Sequence, residues 1–172
     1  RSSDLGHNDL LAGAVIAGNQ LLAKQLTDTL ITHGQVLDNF SAWLLIRSLK
    51  TLHLRMARHN ENGQYLAKKL LNVAGITSVK YAGVGGMISF YLAKGYDVNR
   101  FLTRLQLASF AESLGGPETL ITIPAIQTHH DMTIEKREAL GITDQLVRVS
   151  AGLENKLDIF EDIEQAVVGA KL

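Results

Sequence analysis

The sequence predicts an α/β protein in which long helices precede a small α+β domain with a mixed or antiparallel sheet covered by helices. Apolar residues recur every three or four positions over much of residues 19–72, which is typical of helices. After Gly75 the apolar residues alternate in short runs separated by glycine-rich turns, which is typical of strands. From Lys156 the helical spacing returns, so a last amphipathic helix is expected against the sheet.

The amino-acid composition excludes several classes of function for this protein. The chain has 172 residues, of which 46% are hydrophobic and 20% are charged, as in a globular protein with a substantial core. Seventeen basic residues balance seventeen acidic ones, so the net charge favours neither nucleic acid nor a membrane surface as partner. The absence of cysteine excludes disulfides, thiol chemistry and zinc–thiolate sites. No apolar run has transmembrane length, and we expect a cytoplasmic location.

The chain begins with a glycine-led polar turn and a run of small apolar residues. Residues 6–17 predict a buried strand packed closely by other backbone, because its side chains are small. His7 and Asp9 fit a turn that hydrogen-bonds its own backbone, and the alternative is that they bind a ligand.

Two helical regions follow this run. Asn19 can cap a helix that extends to about Thr32, and Gly34 is placed to end it. Residues 38–41 then open a long helical region, with a break expected near residues 60–63.

The long helical region contains several basic residues with no acid between Asp38 and Glu61. Such a cluster is either a phosphate or nucleic-acid patch, or a solvated helix face or one side of an interface. Apolar positions dominate the region and no nucleic-acid-binding motif accompanies them, so we favour the solvated face or interface. The basic residues are Arg47, Lys50, Arg55 and Arg58.

Strand patterns dominate from residue 77 onward. Residues 77–81 and 87–92 predict two strands joined by the glycine-rich residues 82–86. A phosphate-binding loop is excluded there, because no Gly-Lys-Ser/Thr follows and the loop leads into a strand. Asp97 is expected to cap a short helix.

Residues 110–125 predict a strand, a glycine turn and a second strand. Glu112 and Ser113 stand just before the turn, at an edge where a ligand could reach them, and Pro117 fixes the exit. An ordinary connection between two strands is the alternative.

The last part of the chain predicts no metal site. His129 and His130 are adjacent, so their side chains point in different directions and do not suit one ion. Residues 133–140 predict a short helix, residues 146–153 a strand, and a final helix begins near Lys156. Its acidic residues are expected to face solvent: Asp158, Glu161, Asp162 and Glu164.

Arg148 is a guanidinium in the middle of an otherwise apolar strand, which is costly unless the charge is paired. Its planar fork suits a carboxylate held by two parallel hydrogen bonds. The partner is either an internal acid or the carboxylate of a substrate.

Several of these segments, in this order, closely resemble the Cys/Met-metabolism family of pyridoxal-phosphate enzymes. This family includes cystathionine γ-synthases, γ-lyases and β-lyases and methionine γ-lyases. The resemblance covers nearly the whole chain, and the succession of motifs makes it specific. The matching segments are residues 6–15, 43–52, 111–116, 120–121, 124–125, 128–129 and 146–154.

The resemblance implies the fold type I aminotransferase-like architecture. Residues 1–72 are similar to the end of the large, pyridoxal-phosphate-binding domain and its linking helices, and residues 73–172 to the small C-terminal domain. It also implies a homo-oligomer or association with the rest of the enzyme. For the parent enzyme it implies γ-replacement on an O-acylhomoserine by cysteine. Elimination from cystathionine at the β or γ carbon is one alternative, and a non-catalytic interaction or dimerisation domain is another.

The resemblance also assigns roles to individual residues. The residue at the position of Arg148 grips the substrate α-carboxylate, and the one at Ser113 lies beside it. Glu112 resembles the γ-synthase and γ-lyase pattern. The position of the family's Schiff-base lysine is occupied here by Ser2, and the first lysine of the chain is Lys24. No cofactor-binding residue is therefore assigned, and we expect this chain alone to be inactive, either as a truncated piece or for lack of further residues.

Overall fold

A single five-stranded mixed sheet organises the C-terminal part of the chain. The structure is a computed structural model that describes residues 6–172, so Ser2 lies outside the described residues. The strand order is β1-β2-β5-β4-β3, with β3 and β4 parallel and the other neighbouring pairs antiparallel. This confirms the predicted mixed sheet. The strands are β1 (Ile76–Tyr81), β2 (Met87–Leu92), β3 (Ser109–Phe110), β4 (Leu120–Thr122) and β5 (Leu146–Ser150).

Within residues 6–172, six helices accompany the sheet. Asn19 caps the first helix through a hydrogen bond from the Leu22 N–H, and Gly34 ends it in the left-handed conformation, as predicted. Asp97 caps the fourth helix in the same way. None of the helices within residues 6–172 is long and apolar enough to cross a membrane. The helices are α1 (Gln20–His33), α2 (Asn39–Leu49), α3 (Leu52–Leu70), α4 (Val98–Arg104), α5 (Ile134–Ala139) and α6 (Lys156–Gly169).

The hydrophobic core lies on one face of the sheet, between the strands and helices α3, α4 and α6. Alternate residues of β5 enter it, so Val147 and Val149 are fully buried while Arg148 between them faces the other side. The rings of Phe90 and Phe101 pack edge to face with centroids 6.0 Å apart. Each such buried side chain stabilises the fold by about 1.5–3 kcal/mol. The core thus fixes the face from which Arg148 projects.

The prediction of a buried strand within residues 6–17 is wrong for this structure. Residues 9–17 carry no regular secondary structure, and Leu11 and Ile16 are 81% and 96% exposed. A buried strand needs hydrogen-bonding neighbours along its backbone. The five-stranded sheet formed within residues 6–172 does not include this segment.

The break in the long helical region lies at Lys50 and Thr51, between α2 and α3, and not near residues 60–63 as predicted. Gly63 lies inside α3, at the point where the helix packs against the loop of residues 82–86. A Cβ atom on Gly63 would collide with the Gly85 carbonyl oxygen, and the Asn60 side chain accepts a hydrogen bond from the Gly85 N–H. The glycine therefore permits a close helix–loop contact and does not interrupt the helix.

Asp162 is buried, which corrects its predicted place on the solvent face of α6. Its carboxylate accepts hydrogen bonds of 2.8–3.0 Å from three successive backbone N–H groups, at residues 106–108. The local sequence pattern cannot reveal this role, because the donors belong to a distant connection between α4 and β3.

We expect Asp162→Asn to lower the free energy of unfolding by about 2 kcal/mol, because an amide cannot accept from all three N–H groups that the charged carboxylate satisfies. Urea denaturation followed by circular dichroism measures the change. Glu161→Gln, at an exposed position of the same helix, is the matched control and should have little effect. Equal stability of the two variants would contradict the role of Asp162.

Candidate functional site

The candidate site lies on the face of the sheet opposite the core, around the side chain of Arg148. The register places Arg148 of β5 between Ser89 of β2 and Thr122 of β4. The turn that follows β3 approaches from the β4 side, because β3 is the edge strand next to β4. The antiparallel pairing of β4 with β5 therefore brings the turn and the arginine together, although 35 residues separate Ser113 from Arg148 in sequence.

Arg148 is half-buried and only part of its guanidinium is engaged. Its Nη2 donates to the Thr122 hydroxyl at 3.0 Å and to the Ser113 carbonyl at 3.3 Å. Its Nε is buried without a hydrogen-bond partner. No carboxylate within residues 6–172 forms an ion pair with it, so an internal acid as partner is not found in that part of the chain.

Two electrostatic effects act in opposite directions on the pKa of Arg148. Burial lowers the pKa of the guanidinium, because desolvation disfavours its charged form, and the negative charge of Glu112 acts in the raising direction. Glu112 itself is exposed and makes no ion pair with the arginine. The site thus holds a partly desolvated cation with an acid nearby and an unsatisfied buried donor, which is an arrangement suited to an added anion.

Of the three predicted site residues, Arg148 and Ser113 are in direct contact, and Glu112 lies next to them. Ser113 contacts the arginine through its main-chain carbonyl and not through its hydroxyl. Sequence reasoning anticipated the proximity but not the atom, because a side-chain pattern carries no information about main-chain contacts.

Hydrogen bonds from β5 and its extension hold the turn in place. The Ser150 hydroxyl accepts from the Gly115 N–H at 2.8 Å, and the Leu153 N–H donates to the Pro117 carbonyl at 2.7 Å. Beyond the turn, Glu154 accepts from both the N–H and the hydroxyl of Thr119 and so holds the start of β4. Ser150 lies two residues beyond Arg148 on the same face, so the period of two in a strand could have identified it.

A cavity of about 170 Å³ adjoins the turn, between α3, the loop of residues 82–86 and the end of β5. Its polar lining includes His59, whose Nδ1 lies 2.8 Å from the Ala151 carbonyl and therefore donates to it. Arg55 also lines it and is 6% exposed, which corrects its predicted place on a solvated face. Burial lowers the pKa of Arg55, and its guanidinium donates to the Ser48 carbonyl at 2.8 Å.

The adjacent histidines His129 and His130 make contacts with neighbouring residues in the sequence. His129 contacts the Thr128 hydroxyl at 2.7 Å, and His130 contacts Asp131 at 2.8 Å on the surface. Within the described chain, no three His, Asp or Glu side chains gather as potential metal ligands. Near the start, Gly6 and Asn8 adopt positive φ values of 88° and 56°, as in a turn, and Asp9 is exposed.

Comparison with models of known protein families identifies the family of this chain. The model of the Cys/Met metabolism PLP-dependent enzymes matches residues 5–168, and the chain belongs to this family. The enzymes of this family depend on pyridoxal phosphate. The predicted resemblance is therefore confirmed.

The individual relatives include cystathionine gamma-synthases and cystathionine gamma-lyases. The chain is 46% identical over 166 residues to the cystathionine gamma-synthase/O-acetylhomoserine (thiol)-lyase of Bacillus subtilis, covering 96% of this chain and 44% of the relative. It is equally similar to the cystathionine gamma-synthase of Haemophilus influenzae, with 96% and 45% covered. The cystathionine gamma-lyase of B. subtilis is 38% identical over 94% of this chain and 47% of its own.

Solved structures show the same fold. The cystathionine gamma-lyase from Lactobacillus plantarum superposes with a TM-score of 0.90 at 33% identity, covering 98% of this chain and 49% of that one. The cystathionine gamma synthase from Xanthomonas oryzae pv. oryzae gives 0.88 at 35% identity, with 98% and 48% covered. The chain spans about half the length of the relatives it matches. The predicted fold class, part of a fold type I enzyme, is confirmed.

The described residues do not fit pyridoxal phosphate as a covalently held group. Attachment needs a lysine at the site. No lysine lines the cavity beside the turn or hydrogen-bonds to Arg148, and Lys24, the first lysine of the chain, is exposed on α1. What residues 6–172 do provide is the half-buried guanidinium of Arg148, whose buried Nε has no hydrogen-bond partner.

Proposed function

We propose that this chain is the substrate-carboxylate-binding part of a cystathionine γ-synthase-like enzyme, whose reaction is γ-replacement on an O-acylhomoserine by cysteine. The observation that carries the proposal is the state of Arg148. It is a half-buried cation without an acidic partner in residues 6–172, and its buried Nε has no acceptor. A buried unsatisfied donor is unfavourable, so a bound carboxylate would relieve it.

In this proposal Arg148 orients the amino acid by its α-carboxylate, and Ser113 lies beside the same group. Glu112 is exposed at the edge of the turn, where we propose that it contacts the ligand beyond the carboxylate. The turn between β3 and β4 thus presents one half of a clamp, and β5 presents the other half.

We further propose that residues 1–72 belong to the end of a large cofactor-binding domain and residues 73–172 to the small domain. The 172-residue chain is inactive by itself in this account, because no lysine reaches the site from the described residues. In the parent enzyme, bound pyridoxal phosphate would supply an electron sink, while this chain holds the substrate carboxylate. The proposed cytoplasmic location follows from the metabolic class of the relatives and stays a prediction.

Two other functions remain in view. Relatives named cystathionine gamma-lyase and cystathionine beta-lyase are 38% and 37% identical to this chain, which favours elimination from cystathionine as the second candidate. A non-catalytic dimerisation domain is the third, because α1 and α2 expose large apolar side chains such as Ile31, Phe40 and Trp43. The same exposed surface supports our proposal of a homo-oligomer or of association with the rest of the enzyme.

A chimera distinguishes these functions. The chain is joined behind the preceding part of the B. subtilis cystathionine gamma-synthase/O-acetylhomoserine (thiol)-lyase, and both the chain and the chimera are incubated with pyridoxal phosphate. We expect the chain alone to form no product. We expect the chimera to form cystathionine from O-acetyl-L-homoserine and cysteine. Ketoacid release from cystathionine as the faster reaction would favour a lyase. A folded, cofactor-loaded chimera that does neither would favour the dimerisation domain.

A further inference from the structure

We infer that the hydroxyl of Thr122 is a positioning group that fixes the Arg148 guanidinium and the Glu112 segment in one geometry for carboxylate binding. This inference rests on the proposed role of Arg148 in holding a carboxylate. Thr122 belongs to β4, is 1% exposed and does not itself reach the solvent side of the site.

The Thr122 hydroxyl both donates and accepts a hydrogen bond. It donates its single hydrogen to the Ala111 carbonyl at 2.8 Å and accepts from Nη2 of Arg148 at 3.0 Å. A carbonyl can only accept and a guanidinium can only donate. A threonine or serine hydroxyl is therefore suited to bridge them. An ammonium or a carboxylate at this position would leave one neighbour unsatisfied, and a methyl group would leave both unsatisfied.

The bridge connects the arginine to both sides of Glu112. Arg148 Nη2 also donates to the Ser113 carbonyl at 3.3 Å, so the main chain is held at residue 111 through Thr122 and at residue 113 directly. Glu112 lies between these two anchors and is exposed. The orientation of the arginine and the position of the acid are thereby set by one small network.

The network also selects which donors a ligand meets. Nη2 carries two hydrogens, and both have protein acceptors, so a ligand that pairs with Nη2 must displace one of them. A bidentate carboxylate pairs with Nη2 together with Nε or Nη1. The ligand then replaces the longer hydrogen bond, from Nη2 to the Ser113 carbonyl. The shorter hydrogen bond to the Thr122 hydroxyl remains and holds the orientation of the guanidinium.

Nuclear magnetic resonance of the ¹⁵N-labelled chain tests this role directly. The guanidinium signals of Arg148 are recorded for the wild type, Thr122→Val and Thr122→Ser, and each protein is titrated with O-acetyl-L-homoserine. We expect the Arg148 amino groups to rotate faster in Thr122→Val than in the wild type. We also expect binding of O-acetyl-L-homoserine to weaken about tenfold, as for one lost hydrogen bond to a charged group. Thr122→Ser keeps the hydroxyl and should restore both properties.

Thr119→Val is the matched control. Thr119 is fully buried just before the same strand, and its hydroxyl serves Glu154 and the Gly152 N–H and not Arg148. It should lower stability and leave the Arg148 signals unchanged. Wild-type-like Arg148 signals in Thr122→Val, or an equal loss of order in Thr119→Val, would overturn the inference.

Two further outcomes are distinguishable. If the wild type does not bind the amino acid while Thr122→Val still mobilises the Arg148 guanidinium, the proposed function fails and the positioning role stands. If Thr122→Val does not fold, the inference is tested by measuring how fast the Thr122 hydroxyl proton of the wild type exchanges with water. Its protection from exchange with water supports the bridge, and rapid exchange contradicts it.

Discussion

Replacing Arg148 by lysine is expected to weaken binding of O-acetyl-L-homoserine to the chain by about 30-fold, which corresponds to the roughly 2 kcal/mol of a hydrogen bond to a charged group. Lysine keeps the positive charge but loses the planar fork that pairs with a carboxylate through two parallel hydrogen bonds. Its ammonium also cannot satisfy the Thr122 hydroxyl and a ligand in the same geometry. Isothermal titration calorimetry measures the change.

The control for this substitution is Arg47→Lys, at an exposed arginine of α2. It alters the same functional group and should leave the affinity unchanged. Equal affinity of Arg148→Lys and the wild type would show that the bound carboxylate does not use this guanidinium.

Gly152→Ala is expected to destabilise the chain by about 2–3 kcal/mol, because a methyl group has no room at this position. The new Cβ would collide with the Pro117 carbonyl oxygen, the Glu154 carboxylate and the main chain of Glu118. The Gly152 N–H also donates to the Thr119 hydroxyl, so the whole connection from the turn to β4 packs against this one backbone. Urea denaturation measures the loss.

Gly13→Ala is the matched control for the crowding at Gly152. No atom lies near a Cβ at Gly13, and its backbone does not require positive φ. We expect it to leave the free energy of unfolding within about 0.5 kcal/mol of the wild type. A comparable loss in both variants would contradict close packing as the cause at Gly152, because Ala in place of Gly at an uncrowded position reduces the entropy of the unfolded chain and should not destabilise the fold.

The sequence was sufficient for elements whose signals are local. Asn19 and Gly34 bound α1 as their capping chemistry predicts, and residues 87–92 alternate between buried and half-buried positions as a strand should. The isolated charge of Arg148 in an apolar strand identified the centre of the candidate site, because burying an unpaired guanidinium is costly.

The remaining features depend on partners that are distant in sequence. Asp162 follows the polar side of an amphipathic pattern, but the three N–H groups that it satisfies belong to residues 106–108. Thr122 has no local signature at all, because its importance comes from the pairing of β4 with β5. The apolar run of residues 10–17 was mispredicted for the same reason, since a strand is buried by its neighbours and not by its own composition.

A crystal structure of the chain soaked with O-acetyl-L-homoserine tests the carboxylate clamp most directly. The account predicts both carboxylate oxygens within about 2.7–2.9 Å of the Arg148 guanidinium, as in charge-assisted pairs. It also predicts that Thr122 still accepts from Nη2 and that the Ser113 carbonyl has given up its contact. A ligand bound elsewhere, with Arg148 still donating to the Ser113 carbonyl and its Nε unpaired, would contradict it.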